Sequence, residues 1–168
     1  SSDLYQKSNL SMMILKDTAL GLGRVVGPYV ENNMYVLAKV IDTKMMFDSA
    51  SARHILFQTA DPQNPQNKNV MPEAQAKMMA DSVLKMINSG ADFATLAAQY
   101  SYDQGSKAKG GVYMNFPYSG PGSMVNEFRD FSFNSKKGER GIVKTEYGYH
   151  VIEALGQKNP SMAYKLAY

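Results

Sequence analysis

The chain contains no cysteine, which excludes disulfides, thiolate metal sites and a thiol nucleophile. A cysteine-free composition also fits an oxidising compartment, where a stray thiol is a hazard. No run of lysine or arginine marks a nucleic-acid stripe. The net charge is only +3, and Lys136-Lys137 with Arg140 reads as a solvated turn. No stretch reaches the roughly 18 apolar residues of a membrane-spanning helix, and no signal-peptide pattern opens the chain. The abrupt "SSDLYQKSNL" start and "KLAY" end read as a piece cut from a longer protein, with any targeting or anchor segment lying elsewhere. There is no G-x-S-x-G elbow for a serine nucleophile. "GGVYMN" and "SGPGS" lack dinucleotide or Walker spacing, so a phosphate cradle is poorly supported and no cofactor is expected.

What is present is an ordinary globular mixture. With 168 residues, 44% apolar and 20% charged, the chain can form one domain, or a small domain with an attached piece. Residues 4–20 carry scattered apolar positions, at best a short helix. Gly23–Asp42 reads as a hairpin around Glu31-Asn32-Asn33, and "TKMMFDSAS" as a connector to a strand at Ala52–Phe57. After a polar loop, Pro72 suits a first helical position. Ala76, Met79, Ala80, Val83, Met86 and Ile87 then share one helical face that ends near Gly90. The methionines there read as core filler. Asp92 caps a second helix carrying Phe93, Leu96, Ala97 and Tyr100. A strand at Val112–Phe116, a helix at Val125–Phe133, and strands at Ile142–Thr145 and Tyr149–Leu155 follow. The expected class is α+β, with helices around a small sheet. The expected divisions are an N-terminal segment at 1–48, the main domain at 49–158 and a tail at 159–168.

Histidine is scarce. His54 and His150 each open a short β-patterned run, and either one alone is explained as a core or surface residue. If the first and last strands of the main domain pair, the two become neighbours, near Asp103, Thr145 and Tyr147. An acid–base site or a Ser/His/Asp triad could in principle be assembled from such groups, but neither pattern is well formed. Two histidines without a third clustered ligand make a poor zinc site, so no metal is expected.

Five pieces in order carry a resemblance: "HIL", "ADFATLAAQYSYD", "GG" before a strand ending in Phe116, "MVNEF" and "GYHVI". Together they resemble the parvulin-type (PpiC-type rotamase) peptidyl-prolyl cis/trans isomerases over about Ala52–Leu155. The resemblance implies a small antiparallel sheet of about four strands and about four helices, here preceded by the N-terminal hairpin. His54 and His150 resemble the family's paired histidines, and Asp103 stands where it has cysteine or aspartate. Thr145 resembles the hydroxyl residue of its buried network, and Met124, Phe128 and Phe116 its proline pocket. Tyr147 and Tyr113 fall at substrate-facing positions where a small polar and an aliphatic residue are usual. Met114 replaces a common glycine. These departures bear on substrate preference more than on fold.

The implied chemistry needs no nucleophile and no cofactor. Rotation about an X–Pro bond meets a barrier of about 18–20 kcal/mol. A site lowers it by holding the ring in an apolar slot and binding the twisted amide better than the planar one. Met124, Phe128 and Phe116 can supply that slot, and Met124 and Phe128, four apart, would share one helix face in half-exposed surroundings. The loop "QTADPQNPQNKNV" offers only Lys68, which does not fit the arginine fork of phosphate-directed relatives. The implied partners are unfolded or partly folded proline-containing polypeptides, not nucleic acid, with membrane contact only through absent parts of a parent chain. A parvulin-fold docking module with weak catalysis is the alternative. Shifting by 114 residues lays Gly27–Lys44 on Gly141–Lys158, matching Gly27, Tyr35 and Lys44 to Gly141, Tyr149 and Lys158, with Val36 at the place of His150. A histidine-free echo of the closing hairpin resembles periplasmic foldases of the SurA and PpiD kind, which implies a Gram-negative envelope.

Overall fold

A computed structural model describes residues 21–31 and 33–167. The short helix considered for residues 4–20 lies outside them. The strands are β1 (Val25–Glu31), β2 (Met34–Gln58), β3 (Val112–Pro117), β4 (Arg140–Thr145) and β5 (Gly148–Ala167), and the helices α1 (Glu73–Asn88), α2 (Phe93–Tyr100) and α3 (Asn126–Asn134), with a 3-10 turn at Lys107–Lys109. The fold is α+β. The backbone divides into one unit of residues 47–159 and another of 1–46 with 160–168.

In the larger unit β3 pairs with the second half of β2, β2 neighbours β5, and β5 pairs with β4. Strand alternation sorts the side chains by face. Ile55, Phe57, Tyr149 and Val151 join the buried faces of α1 and α2. Ala50, Ala52 and Ile152 join Phe116, Phe128 and Phe133 in a second cluster, the last two from α3. His54 and His150 have the even parity of Ala52 and Ile152, and so lie on the α3 face. On the opposite face the buried Glu153 is held by Arg53 at 2.9 Å and by Arg140.

The α1 stripe is as patterned, with Ala76, Ala80, Val83 and Ile87 buried. The methionines differ: Met79 is partly buried, but Met78 and Met86 are exposed. The buried positions of α1 are taken by Ala76, Ala80, Val83 and Ile87, which leaves Met78 and Met86 towards solvent. Pro72 is the N-cap rather than the first helical residue. Gly90, at φ 102°, ends the helix with its N–H donating to Ile87 O at 3.0 Å. Asp92 caps α2, accepting from the Thr95 N–H at 2.8 Å. The expected connector "TKMMFDSAS" is instead the middle of β2, and β5 continues to Ala167 where a tail is expected. Thr43, Phe47 and the methionines tolerate extended backbone, so a composition that reads as linker pairs as strand.

The smaller unit is built on an antiparallel β1–β2 hairpin, with Val25 opposite Lys39 and Val30 opposite Tyr35. Val40, fully buried, packs with Val26 and Leu166.

Candidate active site

His54 and His150 project from neighbouring strands, and their rings, within 17° of parallel and with centroids 5.1 Å apart, meet edge to edge with Nδ1 atoms 2.9 Å apart. Both are almost fully buried. His54 Nε2 lies 2.9 Å from Asp103 Oδ2 and 3.2 Å from Ser106 Oγ. His150 Nε2 lies 2.8 Å from Thr145 Oγ1, which accepts the Tyr147 N–H at 3.2 Å. A continuous line of hydrogen bonds thus runs Asp103–His54–His150–Thr145.

With both imidazoles neutral, the direction of that line follows from its Asp103 end, and the Tyr147 N–H is compatible with it. An ionised carboxylate only accepts, and a backbone N–H only donates. Tyr147 N–H donates to Thr145, whose hydroxyl then donates to His150 Nε2. His150 Nδ1–H donates to His54 Nδ1, and His54 Nε2–H donates to Asp103. Both imidazoles are neutral in this assignment, one protonated on Nε2 and the other on Nδ1. Electrostatics agrees. Burial pushes His150 down to about 3, which keeps its ring neutral. Burial alone would raise the Asp103 carboxyl, but hydrogen bonds from His54, Ser106 and Tyr113 outweigh it and hold Asp103 far below the ordinary carboxylate range.

The backbone around His54 is held by close approach. Its N–H donates to Gly111 O at 2.9 Å. A Cβ on Gly111, at φ 78°, would lie 2.2 Å from His54 O. The glycine pair before β3 is therefore required by the strand that carries the histidine.

Beneath the rings lies Phe128, its ring edge-on to His54 at 5.1 Å and to His150 at 5.8 Å. Phe116 packs on Phe128 at 5.8 Å, and Tyr113 lies 5.6 Å from His54. The pocket differs from expectation in two ways. Met124 precedes α3, so it does not share a helix face with Phe128. Phe128 is wholly buried rather than half exposed, because β2, β3 and α3 close around it. Met124, Tyr113 and Val125 are the partly buried apolar groups packed on this cluster. Val125 also lines a cleft of about 300 Å³ with Asn126, Glu127 and Glu146. Tyr147 is partly buried, and its carbonyl accepts from Thr59 N–H at 2.9 Å. Met114 is exposed.

Two further groups belong to the network. Ser106, fully buried, donates to Asp103 Oδ2, and the Tyr113 hydroxyl donates to the same oxygen at 2.9 Å. Ser106 has no mark in the sequence beyond its three-residue spacing from Asp103, which a turn can close. For Tyr113 the sequence suggests a substrate-facing side chain, and the hydroxyl turns instead to Asp103. Among the described residues no three His, Asp or Glu side chains converge as a metal site. An ionised carboxylate crowded with donors, paired neutral histidines and an apolar floor can set a rigid, weakly polar surface beside a peptide bond.

Residues 35–158 match the family described as the PPIC-type PPIase domain. The chain belongs to that family. It carries a parvulin-type peptidyl-prolyl cis/trans isomerase domain related to bacterial foldases. Over 148 residues it is 30% identical to the chaperone SurA of Pseudomonas syringae pv. tomato, a match covering 84% of this chain and 32% of that protein. Over 80 residues it is 45% identical to foldase protein PrsA 4 of Bacillus cereus, covering 47% and 28%. A peptidylprolyl isomerase structure, PrsA from Bacillus anthracis, superposes with a TM-score of 0.50 at 30% identity, covering 69% of this chain and 45% of that one. The chain spans about a third of the length of these curated relatives.

Proposed function

We propose that residues 49–158 catalyse cis/trans isomerisation of X–Pro bonds in unfolded or partly folded polypeptides. The observation that carries this is the convergence of His54, His150, Asp103 and Thr145 in one hydrogen-bonded line above Phe128. In this reading the proline ring rests against Met124 and Tyr113, over a floor formed by Phe128 and Phe116, with Tyr147 at the rim. The peptide carbonyl faces the histidine pair. A twisted amide has lost its resonance and carries more charge on nitrogen and less on oxygen. A rigid, poorly hydrated surface made of neutral imidazoles favours that state over the planar one. With only Lys68 in the loop after β2, phosphorylated residues before proline have no guanidinium partner there.

The same reading makes the chain part of a longer foldase working in the cell envelope. The SurA and PrsA relatives and the cysteine-free composition support it. The longer match to the Pseudomonas proteins favours a Gram-negative periplasm, which fractionation of cells expressing the parent gene would test. Residues 1–48 are then a remnant or neighbour of another module.

One observation favours a second reading, a peptide-docking module with little catalysis: Phe128 and Phe116 are both buried, so a proline ring reaches them only if the cleft opens. NMR exchange spectroscopy on Ala-X-Pro peptides separates the two. Acceleration at catalytic enzyme concentration supports the isomerase. Binding of unfolded chains without acceleration supports the docking module.

A further inference from the structure

We propose that Ser106 and Tyr113 are positioning residues of the isomerase site: by donating to the one Asp103 oxygen that accepts from His54, they fix the rotamer of the carboxylate and the tautomers of both histidines. This rests on the isomerase reading, but concerns what keeps the site in a single protonation pattern.

Three donors converge on Asp103 Oδ2, namely His54 Nε2, Ser106 Oγ and Tyr113 OH, and the Gly105 N–H donates to Oδ1 at 3.1 Å. Each carboxylate oxygen has about two acceptor positions, so Oδ2 is fully taken by protein donors and has none left for a water or a substrate proton. That occupancy decides the chemistry. The Oδ2 that accepts from His54 cannot take a substrate proton. Its role is to hold His54 Nε2–H, and through the Nδ1–Nδ1 contact to set His150 as the donor.

The two hydroxyls come from different elements, which makes the arrangement a clamp. Ser106 enters the 3-10 turn that ends at the left-handed Gly110, and its backbone carbonyl accepts from the Gly111 N–H at 2.9 Å. Tyr113 stands on β3, paired with Ala52 two residues before His54. The carboxylate is pinned between the turn and the strand, so loss of either hydroxyl frees it to rotate off His54. Burial and the Asp103 charge push the Tyr113 phenol up to about 12. It therefore remains a donor throughout the neutral range. Its hydroxyl is committed to Asp103, and its ring lies 5.6 Å from His54 and 6.5 Å from Phe128.

The test uses the whole chain with Ser106→Ala, Tyr113→Phe and the double variant, each keeping most of the original shape. Three readouts are taken: melting temperature, kcat and KM for an Ala-Phe-Pro peptide, and ring ¹⁵N shifts of both histidines. In the parent protein each ring is expected in one tautomer. Each single variant is expected to stay folded, lose about tenfold in kcat, equivalent to about 1.4 kcal/mol, and keep KM within about twofold. Its ¹⁵N shifts should move towards tautomer averages. The double variant should lose less than the product of the singles, because both act through one oxygen. Fixed tautomers with unchanged kcat in both single variants would overturn the proposal. So would activity lost only in proportion to unfolding, with tautomers unchanged. A parent protein that shows fixed tautomers and no isomerisation, with variants that lose them, would sink the isomerase reading and leave the positioning role standing.

Discussion

The β1–β2 and β4–β5 hairpins are a natural experiment in what surroundings do to similar sequences. At the 114-residue offset their registers coincide at three successive pairs. Tyr29 faces Val36 as Val143 faces His150, Val30 faces Tyr35 as Lys144 faces Tyr149, and Glu31 faces Met34 as Thr145 faces Gly148. Their environments differ. Tyr35 is 84% exposed and Tyr149 only 9%. Helices α1 and α2 cover one face of the second hairpin and α3 the other, so His150 is desolvated and forced to find partners. Local sequence sets register, and helical cover turns a hairpin position into a site.

The largest expected effect strikes the difference at its tightest point. Gly148, at φ 141°, faces Phe57 so closely that a Cβ would lie 2.2 Å from its carbonyl oxygen. Its counterpart Met34 is exposed. Gly148→Ala should leave little folded protein at 37 °C, whereas Met34→Ala should change stability by no more than about 0.5 kcal/mol. Thermal melts of the pair decide this, and equal effects would mean that the backbone packed against Gly148 does not distinguish the hairpins.

Next comes Phe128→Ala. Because the ring is completely buried, the loss should be about 3–5 kcal/mol in denaturant titrations, with isomerase activity lost as well. A variant that lost activity without losing stability would return Phe128 to the pocket surface.

The pH dependence comes third. His150 titrates at about 3 in the fold against 6.5 as its ordinary value. Between those values the unfolded chain carries the proton and the folded chain does not. Stability should therefore fall as pH drops from 6.5 towards 4, by up to about 1.4 kcal/mol per unit. Asp103 adds its own loss only below about 3.8, where an unfolded aspartate protonates. His150→Val, which copies Val36, should flatten the slope above pH 4 while removing most activity. It should also destabilise by about 1–3 kcal/mol at pH 7, because Thr145 and His54 lose a buried partner. An unchanged slope would show that another group titrates there.

The smallest effect is expected on the exposed hairpin. Tyr35→Ala should shift stability by about 0.5 kcal/mol or less and leave kcat/KM for short peptides unchanged. A large loss of activity would show that the two units share a site.

The sequence by itself settled the features that depend on short-range periodicity and backbone chemistry. Two-residue alternation put His54 on one strand face with Ala52, and His150 on one face with Ile152. The 3.6-residue stripe set the buried face of α1, the Asp92 carboxylate began α2, and Gly90 ended α1. Motif order also pointed to the paired histidines, Asp103 and Thr145. Tertiary structure alone decided that Met124 stands before the helix, that Phe128 is sealed beneath the rings, and that "TKMMFDSAS" pairs as strand. It alone turned Ser106 and the Tyr113 hydroxyl onto Asp103. Each of these depends on what lies across a gap from a different element, such as β3 against β2 or the 3-10 turn against His54. A linear pattern records which face a side chain takes, and what meets it there is determined by packing.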